Sequence, residues 1–181
     1  MKVYRLFAAA VGAILLTGCK SSDRVHDKNY VRALALSGHE GKIAVFDFYD
    51  EESKPYASAG EDFDALREKA ELELGKTLFT GHTELIVLGD CDFTASLEFL
   101  LNEWKVSPSC LVVYSDEKEW YNIEEGKTDV LADSVRNAVK QGKSPECDIV
   151  TVLSGLLSEE GFAEVPFADS DGIDGTYIIA S

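Results

Sequence analysis

A single α/β domain with a mixed β-sheet and helices packed on it is the fold class the sequence predicts, and three observations predict it. Leu85-Ile86-Val87-Leu88 and Cys110-Leu111-Val112-Val113-Tyr114 are short, unbroken apolar runs, the mark of strands covered on both faces. An amphipathic helical pattern separates them, so the two are expected to run parallel in a right-handed βαβ unit. Two further pairs of β-rich segments, one beginning at Tyr30 and one at the end of the chain, are joined by turn-forming residues and predict hairpins. The expected element order is ββαβαβααββ, with residues 85–88 as the central strand.

The chain opens with a targeting segment. Lys2 and Arg5 form a charged start, and Leu6 to Leu16 is an apolar run shorter than the roughly 20 residues that span a bilayer. Leu16-Thr17-Gly18-Cys19 resembles the bacterial lipobox, in which the cysteine is diacylated and becomes the mature N-terminus. The alternatives are a secretory signal cut elsewhere or an uncleaved anchor. Residues 1–18 are thus expected to be a lipoprotein signal peptide, Cys19 the lipidation site, residues 19–29 a lipidated tether and residues 30–181 the folded domain. Two acyl chains, at about 0.8 kcal/mol per buried CH₂, suffice to hold a protein at a membrane.

Tyr30 to Leu36 and Lys42 to Tyr49 are β-rich around Gly38-His39-Glu40-Gly41, which predicts the first hairpin. Asp50 to Ala57, with Pro55, is expected to be an acidic loop. Ser58 and Glu61 have capping-box spacing, and Phe63, Leu66, Ala70 and Leu74 follow at helical intervals up to Gly75. Asp92 is placed to cap a second helix with Phe93, Leu97, Leu100, Leu101 and Trp104 inward, ending before Pro108. Asp116 to Gly126 is charged, with Trp120, Tyr121 and Ile123 as an apolar patch. Leu131, Val135, Ala138 and Val139 predict a third helix, closed by Gly142. Ser144-Pro145-Glu146 reads as the start of a fourth, with Ile149, Val152, Leu153, Leu156 and Leu157 as its stripe. Phe162 to Phe167 then pairs with Thr176 to Ala180, and Pro166 puts the first of these at a sheet edge.

Charge excludes several functions. The 181 residues carry 33 acidic and 17 basic side chains, a formal net charge of −16. Loss of Lys2 and Arg5 with the signal peptide makes it more negative still. Nucleic-acid binding, which depends on neutralising phosphates, is not expected, nor is electrostatic docking on anionic lipid. Cys91, Cys110 and Cys147 allow at most one disulfide, and spacing does not choose it; Cys110 is expected to be a small core residue.

Catalytic and cofactor motifs fail on context. Gly75-Lys76-Thr77 echoes a phosphate loop, but it follows a helix where the motif follows a strand. His82 and Cys91 flank the central strand about 30 Å apart when extended, too far to cooperate. His82 is expected to cap or to hydrogen-bond in a turn; an enzyme would need it in a pocket with a close carboxylate. Asp169 to Gly175 resembles a calcium loop, but Ile173 and Ala180 fall where ligands are needed, so a hairpin turn is expected. No metal site and no cofactor is predicted. The crevice beyond the C-terminal ends of parallel strands often holds ligands, which makes Asp90, Asp92, Ser115 and Asp116 a candidate ligand or partner surface.

Phe79-Thr80-Gly81-His82-Thr83-Glu84-Leu85-Ile86-Val87-Leu88-Gly89-Asp90 resembles the Ger(x)C family, the lipoprotein C-subunits of spore nutrient germinant receptors. The shared pattern is a Phe-x-Gly-His turn, an apolar strand and a Gly-acidic pair. The lipobox, Ala33 to Leu36, Phe63 to Leu74, Phe99-Leu100-Leu101, Leu111 to Tyr114, Leu153 to Leu157, Val165-Pro166 and Gly175 to Ile178 follow the family in order. The likeness is to the family's N-terminal domain. Lys20-Ser21 stands where the family usually has Trp-Asp, and Ser37-Gly38-His39 where it has Gly-Ile-Asp. The resemblance implies a non-enzymatic protein, lipid-anchored on the outer face of the spore inner membrane, with other receptor subunits as partners.

Overall fold

The structure, a computed structural model, describes residues 27–39, 41–116, 127–169 and 171–181. The signal peptide, Cys19, most of the tether and the Trp120-Tyr121-Ile123 patch lie outside the described residues. Among the described residues twelve elements follow one another: β1 (Lys28–Gly38), β2 (Lys42–Phe48), β3 (Tyr56–Gly60), α1 (Phe63–Leu74), β4 (Thr77–Phe79), β5 (Leu85–Cys91), α2 (Phe93–Asn102), β6 (Leu111–Tyr114), α3 (Thr128–Lys140), α4 (Ile149–Leu156), β7 (Phe162–Asp169) and β8 (Gly172–Ala180).

The strands form one mixed sheet in the order β3-β2-β1-β5-β6-β7-β8, with β4 alongside the start of β1. β5 is the middle strand and runs parallel to both neighbours, Leu34 opposite Ile86 and Ile86 opposite Val112. β1–β2 and β7–β8 are the two expected antiparallel hairpins. The predicted α/β class holds, with two strands more than expected.

Alternation along β2 shows how the layers form. Phe46 is fully buried against Trp104, at 5.9 Å between ring centroids, and Phe63 and Phe99 complete the cluster. These rings tie α1 and α2 to one face, where α4 also lies against α2. Asp47 points the other way, as successive strand residues must, and accepts a hydrogen bond from Thr128 at the start of α3. Helices therefore cover the sheet on both sides. That is why Leu85 to Leu88 is apolar without alternation.

The differences from expectation have local causes. β3 pairs with β2 as far as Gly60 opposite Lys42, so α1 starts later than Ser58 allows. Asp62 is the cap, accepting from the Ala65 amide at 2.8 Å, while Ser58 is buried and donates to the Leu66 carbonyl. Gly75 ends α1 in the left-handed region at φ 67°, as predicted. The segment before α4 bonds to β6, Val112 N–H to the Cys147 carbonyl at 2.7 Å and Ile149 N–H to the Cys110 carbonyl at 2.9 Å. Asp148, not Ser144, is therefore the N-cap. Pro166 lies one strand in from the edge; β7 meets β6 only at Tyr114 opposite Phe167, so few ladder bonds are there for a proline to remove. A side chain at Gly155 would place Cβ 2.8 Å from the Phe162 carbonyl oxygen, which sets how closely α4 lies on β7.

Cys91, Cys110 and Cys147 are buried and unbridged. Burial pushes the Cys91 and Cys147 thiols up to about 11, and Cys110 well above its ordinary value. All three stay protonated, core-filling thiols at neutral pH.

Candidate functional site

The four residues at the C-terminal strand ends do come together. Ser115 follows β6 and bonds through its amide to the Leu88 carbonyl at 2.9 Å, beside the end of β5. Ser115 is buried and Asp116 exposed, with the Tyr114 hydroxyl 3.5 Å from Asp116 Oδ1. Asp90 is exposed and lies 3.1 Å from His39 Nε2. Asp92 spends Oδ1 on the Ala95 amide as the cap of α2. The group is an exposed acidic rim, already partly engaged with its own fold.

The opposite end of the sheet holds a cavity of about 730 Å³. It opens where β1 and β5 begin and β2 ends, with Tyr30, Phe48 and Tyr49 giving aromatic surface. Lys28, Lys76, His82 and Arg136 bring basic groups, and Asp50 and Glu84 carboxylates.

Each side chain is placed by main-chain bonding. Glu84 is fixed on both sides, its amide to the Arg32 carbonyl at 2.8 Å and its carbonyl accepting from the Leu111 amide at 2.9 Å. Tyr49 continues the β1–β2 ladder through its amide to the Tyr30 carbonyl at 3.0 Å. Arg136 reaches in from α3, whose Leu131, Ala132 and Val135 are buried against the sheet. His82 rides on the turn closed by Thr83 N–H to the Thr80 carbonyl at 3.0 Å. That turn is anchored by Thr80 Oγ1 to the Trp104 carbonyl and by Thr83 Oγ1 to the Val31 carbonyl.

At the centre is a polar triad. Arg136 Nη2 lies 2.6 Å from Glu84 Oε2. The Tyr49 hydroxyl lies 2.8 Å from both Glu84 Oε1 and the His82 carbonyl oxygen, and can donate its one proton to either. The Arg136 guanidinium holds the Glu84 carboxyl below its ordinary range; the Tyr49 hydroxyl acts in the same direction and burial against it. Burial and the neighbouring Glu84 carboxylate push Tyr49 up to about 12, so it remains a hydrogen-bond donor.

The triad has a consequence for stability against pH. A carboxyl whose folded pKa is depressed stabilises the fold above its unfolded value of about 4.3, and that contribution is lost as pH falls through the folded pKa. The Glu84 and Arg136 side chains are 34% and 37% exposed, so solvent screens the pair and it is worth about 1 kcal/mol. Arg136→Met is expected to lower stability by about that much at pH 7 and to flatten the acid limb. Denaturation series between pH 3 and 7 would check both; an unchanged acid limb would show that Glu84 is not held down by Arg136.

His82 thus shares one cavity with two carboxylates, as an enzyme would require, but Asp50 is bonded within its own turn and Glu84 to its neighbours. Both Glu84 oxygens are engaged by Arg136 and Tyr49. The His82 ring is exposed and meets the edge of Phe79 at 5.3 Å between centroids, rather than capping or bonding in its turn. Neither relation makes a general base. Sequence reasoning missed Tyr49, Glu84 and Arg136, because no spacing links them, and met Lys76 only as part of a phosphate-loop echo that it set aside. The Gly75-Lys76-Thr77 triplet joins α1 to β4 as a helix stop and strand start.

No protein-family model matches the chain, and neither a curated protein nor a solved structure matches it.

Proposed function

We propose that this protein is an extracytoplasmic lipoprotein of the germinant-receptor C-subunit type, anchored through Cys19, which acts in spore germination by assembling with other receptor subunits rather than by catalysis. The observation that carries this reading is the ordered likeness centred on Phe79 to Asp90, preceded by the lipobox-like Leu16-Thr17-Gly18-Cys19. Two features support it. The most family-like stretch contains β5, the strand on which the sheet is centred. Of the two carboxylates that share a cavity with His82, Glu84 is held in an ion pair with Arg136 and Asp50 is bonded within its own turn. In this reading the protein sits on the outer face of the spore inner membrane, and its work is done by surfaces.

The test has two arms. Cys19→Ser is expected to move the protein from the membrane fraction to the soluble one, because no second lipid signal is proposed. Deleting the gene in the source organism is expected to slow germination in at least one nutrient, and the intact protein to co-purify with membrane-embedded receptor subunits. Normal germination in every nutrient, together with no co-purification, overturns the proposal. A second reading, a surface lipoprotein that binds a small ligand, is favoured by the cavity at the start of β1 and β5.

A further inference from the structure

We infer that the cavity between the start of β1, the end of β2 and the turn before β5 binds a small organic monoanion, a carboxylate carried on an apolar or aromatic body. The inference stands apart from the germination reading, since ligand binding and membrane attachment are measured separately.

Size and lining come first. A cavity of about 730 Å³ lies within the roughly 300–1,000 Å³ usual for small-molecule sites. Tyr30 and Tyr49 supply rings for an apolar body, with the buried Phe48 behind them. Stacking or edge contacts with such rings favour flat or aliphatic groups over strongly hydrated ones.

Charge selects the sign. Across the chain acidic residues outnumber basic ones 33 to 17, yet among the described residues that line the cavity the balance is reversed, Lys28, Lys76 and Arg136 against Asp50 and Glu84. Both carboxylates are already occupied. Glu84 is held by Arg136 and Tyr49. Asp50 accepts from the Glu52 amide at 3.1 Å and the Ser53 hydroxyl at 3.0 Å, which fold it into its own turn. A cationic ligand would therefore meet the Lys76 ammonium and two carboxylates whose charge is already shared with groups of the fold.

The groups left over define the anion. Among the described residues, Lys76 has no acidic partner and the His82 ring nitrogens have no hydrogen-bond partner, and both line the cavity. Ser107 and Ser109 share one bond at 2.9 Å, which leaves one hydroxyl proton of the pair to give. Arg136 is committed to Glu84 and to Asp133 at 3.0 Å, so no guanidinium fork is open for a phosphate. Among the described residues no helix N-terminus lines the cavity either: Asp62, Asp92, Lys127 and Asp148, which precede the four helices, are not among its walls. One ammonium, an imidazole and a hydroxyl suit a carboxylate better than a dianion.

The test uses the full-length chain in detergent and a panel of phenylacetate, indole-3-acetate and hexanoate, with phenylacetamide and inorganic phosphate as comparisons. Calorimetry is expected to show saturable binding of at least one carboxylate at millimolar or lower concentration. Phenylacetamide, which keeps the ring and loses the charge, is expected to bind about tenfold more weakly than phenylacetate. Lys76→Glu, on an exposed side chain, should weaken carboxylate binding at least tenfold with an unchanged Tm, while Asp90→Asn at the far end of the sheet leaves it as it was. Three results overturn the inference: no saturable binding of any carboxylate, equal binding of the acid and the amide, or phosphate binding more tightly than the carboxylates. Carboxylate affinity unmoved by Lys76→Glu would place the site elsewhere and overturn it as well.

Discussion

Phe46→Ala should lower the unfolding free energy by about 3–5 kcal/mol, the range for removing a buried aromatic side chain. Phe46 has no exposed surface, and its ring lies 5.9 Å from Trp104, which in turn contacts Phe63 and Phe99 edge-on. Removing it takes away apolar burial and also the ring by which β2 reaches Trp104 and, through it, Phe63 of α1 and Phe99 of α2. Little can collapse into the space, because Trp104 is itself held by Phe63 and Phe99. Domains of this size are stable by only about 5–15 kcal/mol, so the variant would lie close to unfolding at room temperature. Phe46→Leu, which keeps most of the volume, is expected to cost about 1.5 kcal/mol. Chemical denaturation of the three proteins would check the ordering; a Phe46→Ala loss no larger than that of Phe46→Leu would mean the aromatic cluster does not carry the helix layer.

The second large effect is expected on the other face. Asp47 is only 3% exposed, and Thr128 is its hydrogen-bond donor at the first turn of α3. Thr128→Val keeps the shape and removes the donor, leaving a buried carboxylate under-satisfied at a cost of about 2–3 kcal/mol. Adding Asp47→Leu to Thr128→Val removes the stranded charge and should recover part of that loss. A double-mutant cycle measures the coupling directly. Purely additive losses would show that Asp47 and Thr128 are stabilised independently.

How far the sequence revealed this molecule depended on whether a feature is local. Leu85 to Leu88 and Leu111 to Tyr114 announced buried parallel strands, since helices on both faces demand continuous apolar residues. Gly75 and Asp92 marked helix ends because their roles are settled by adjacent backbone. β3 was hidden: Tyr56-Ala57-Ser58-Ala59-Gly60 has no β-branched residue, and it is a strand only because β2 offers an edge. β4, three residues after a helix stop, is too short to show a period. The start of α4 was misplaced because bonds to β6, remote in sequence, hold the chain extended to Asp148.

The cavity was illegible for the same reason on a larger scale. Tyr49, Lys76, Glu84 and Arg136 come from four parts of the chain and meet only when the sheet has formed and α3 has docked. The candidates Asp90, Asp92, Ser115 and Asp116 were accessible to reasoning, because they follow from where parallel strands end. They lie on an exposed rim, while the cavity of about 730 Å³ formed at the strands' beginnings.

β1 touches three other strands: β2 along one edge, and β4 then β5 along the other. In kinetic terms these partnerships are unequal. The β2 pairing closes a short loop and can form early, whereas the β5 pairing must wait until α1 and β4 have been threaded between, at a larger entropic cost. Pairing of β5 with β1 is therefore expected to be the slower of the two steps. Arg32 and Glu84, whose main-chain bond at 2.8 Å precedes the first pair of that ladder, mark where the long loop is drawn shut.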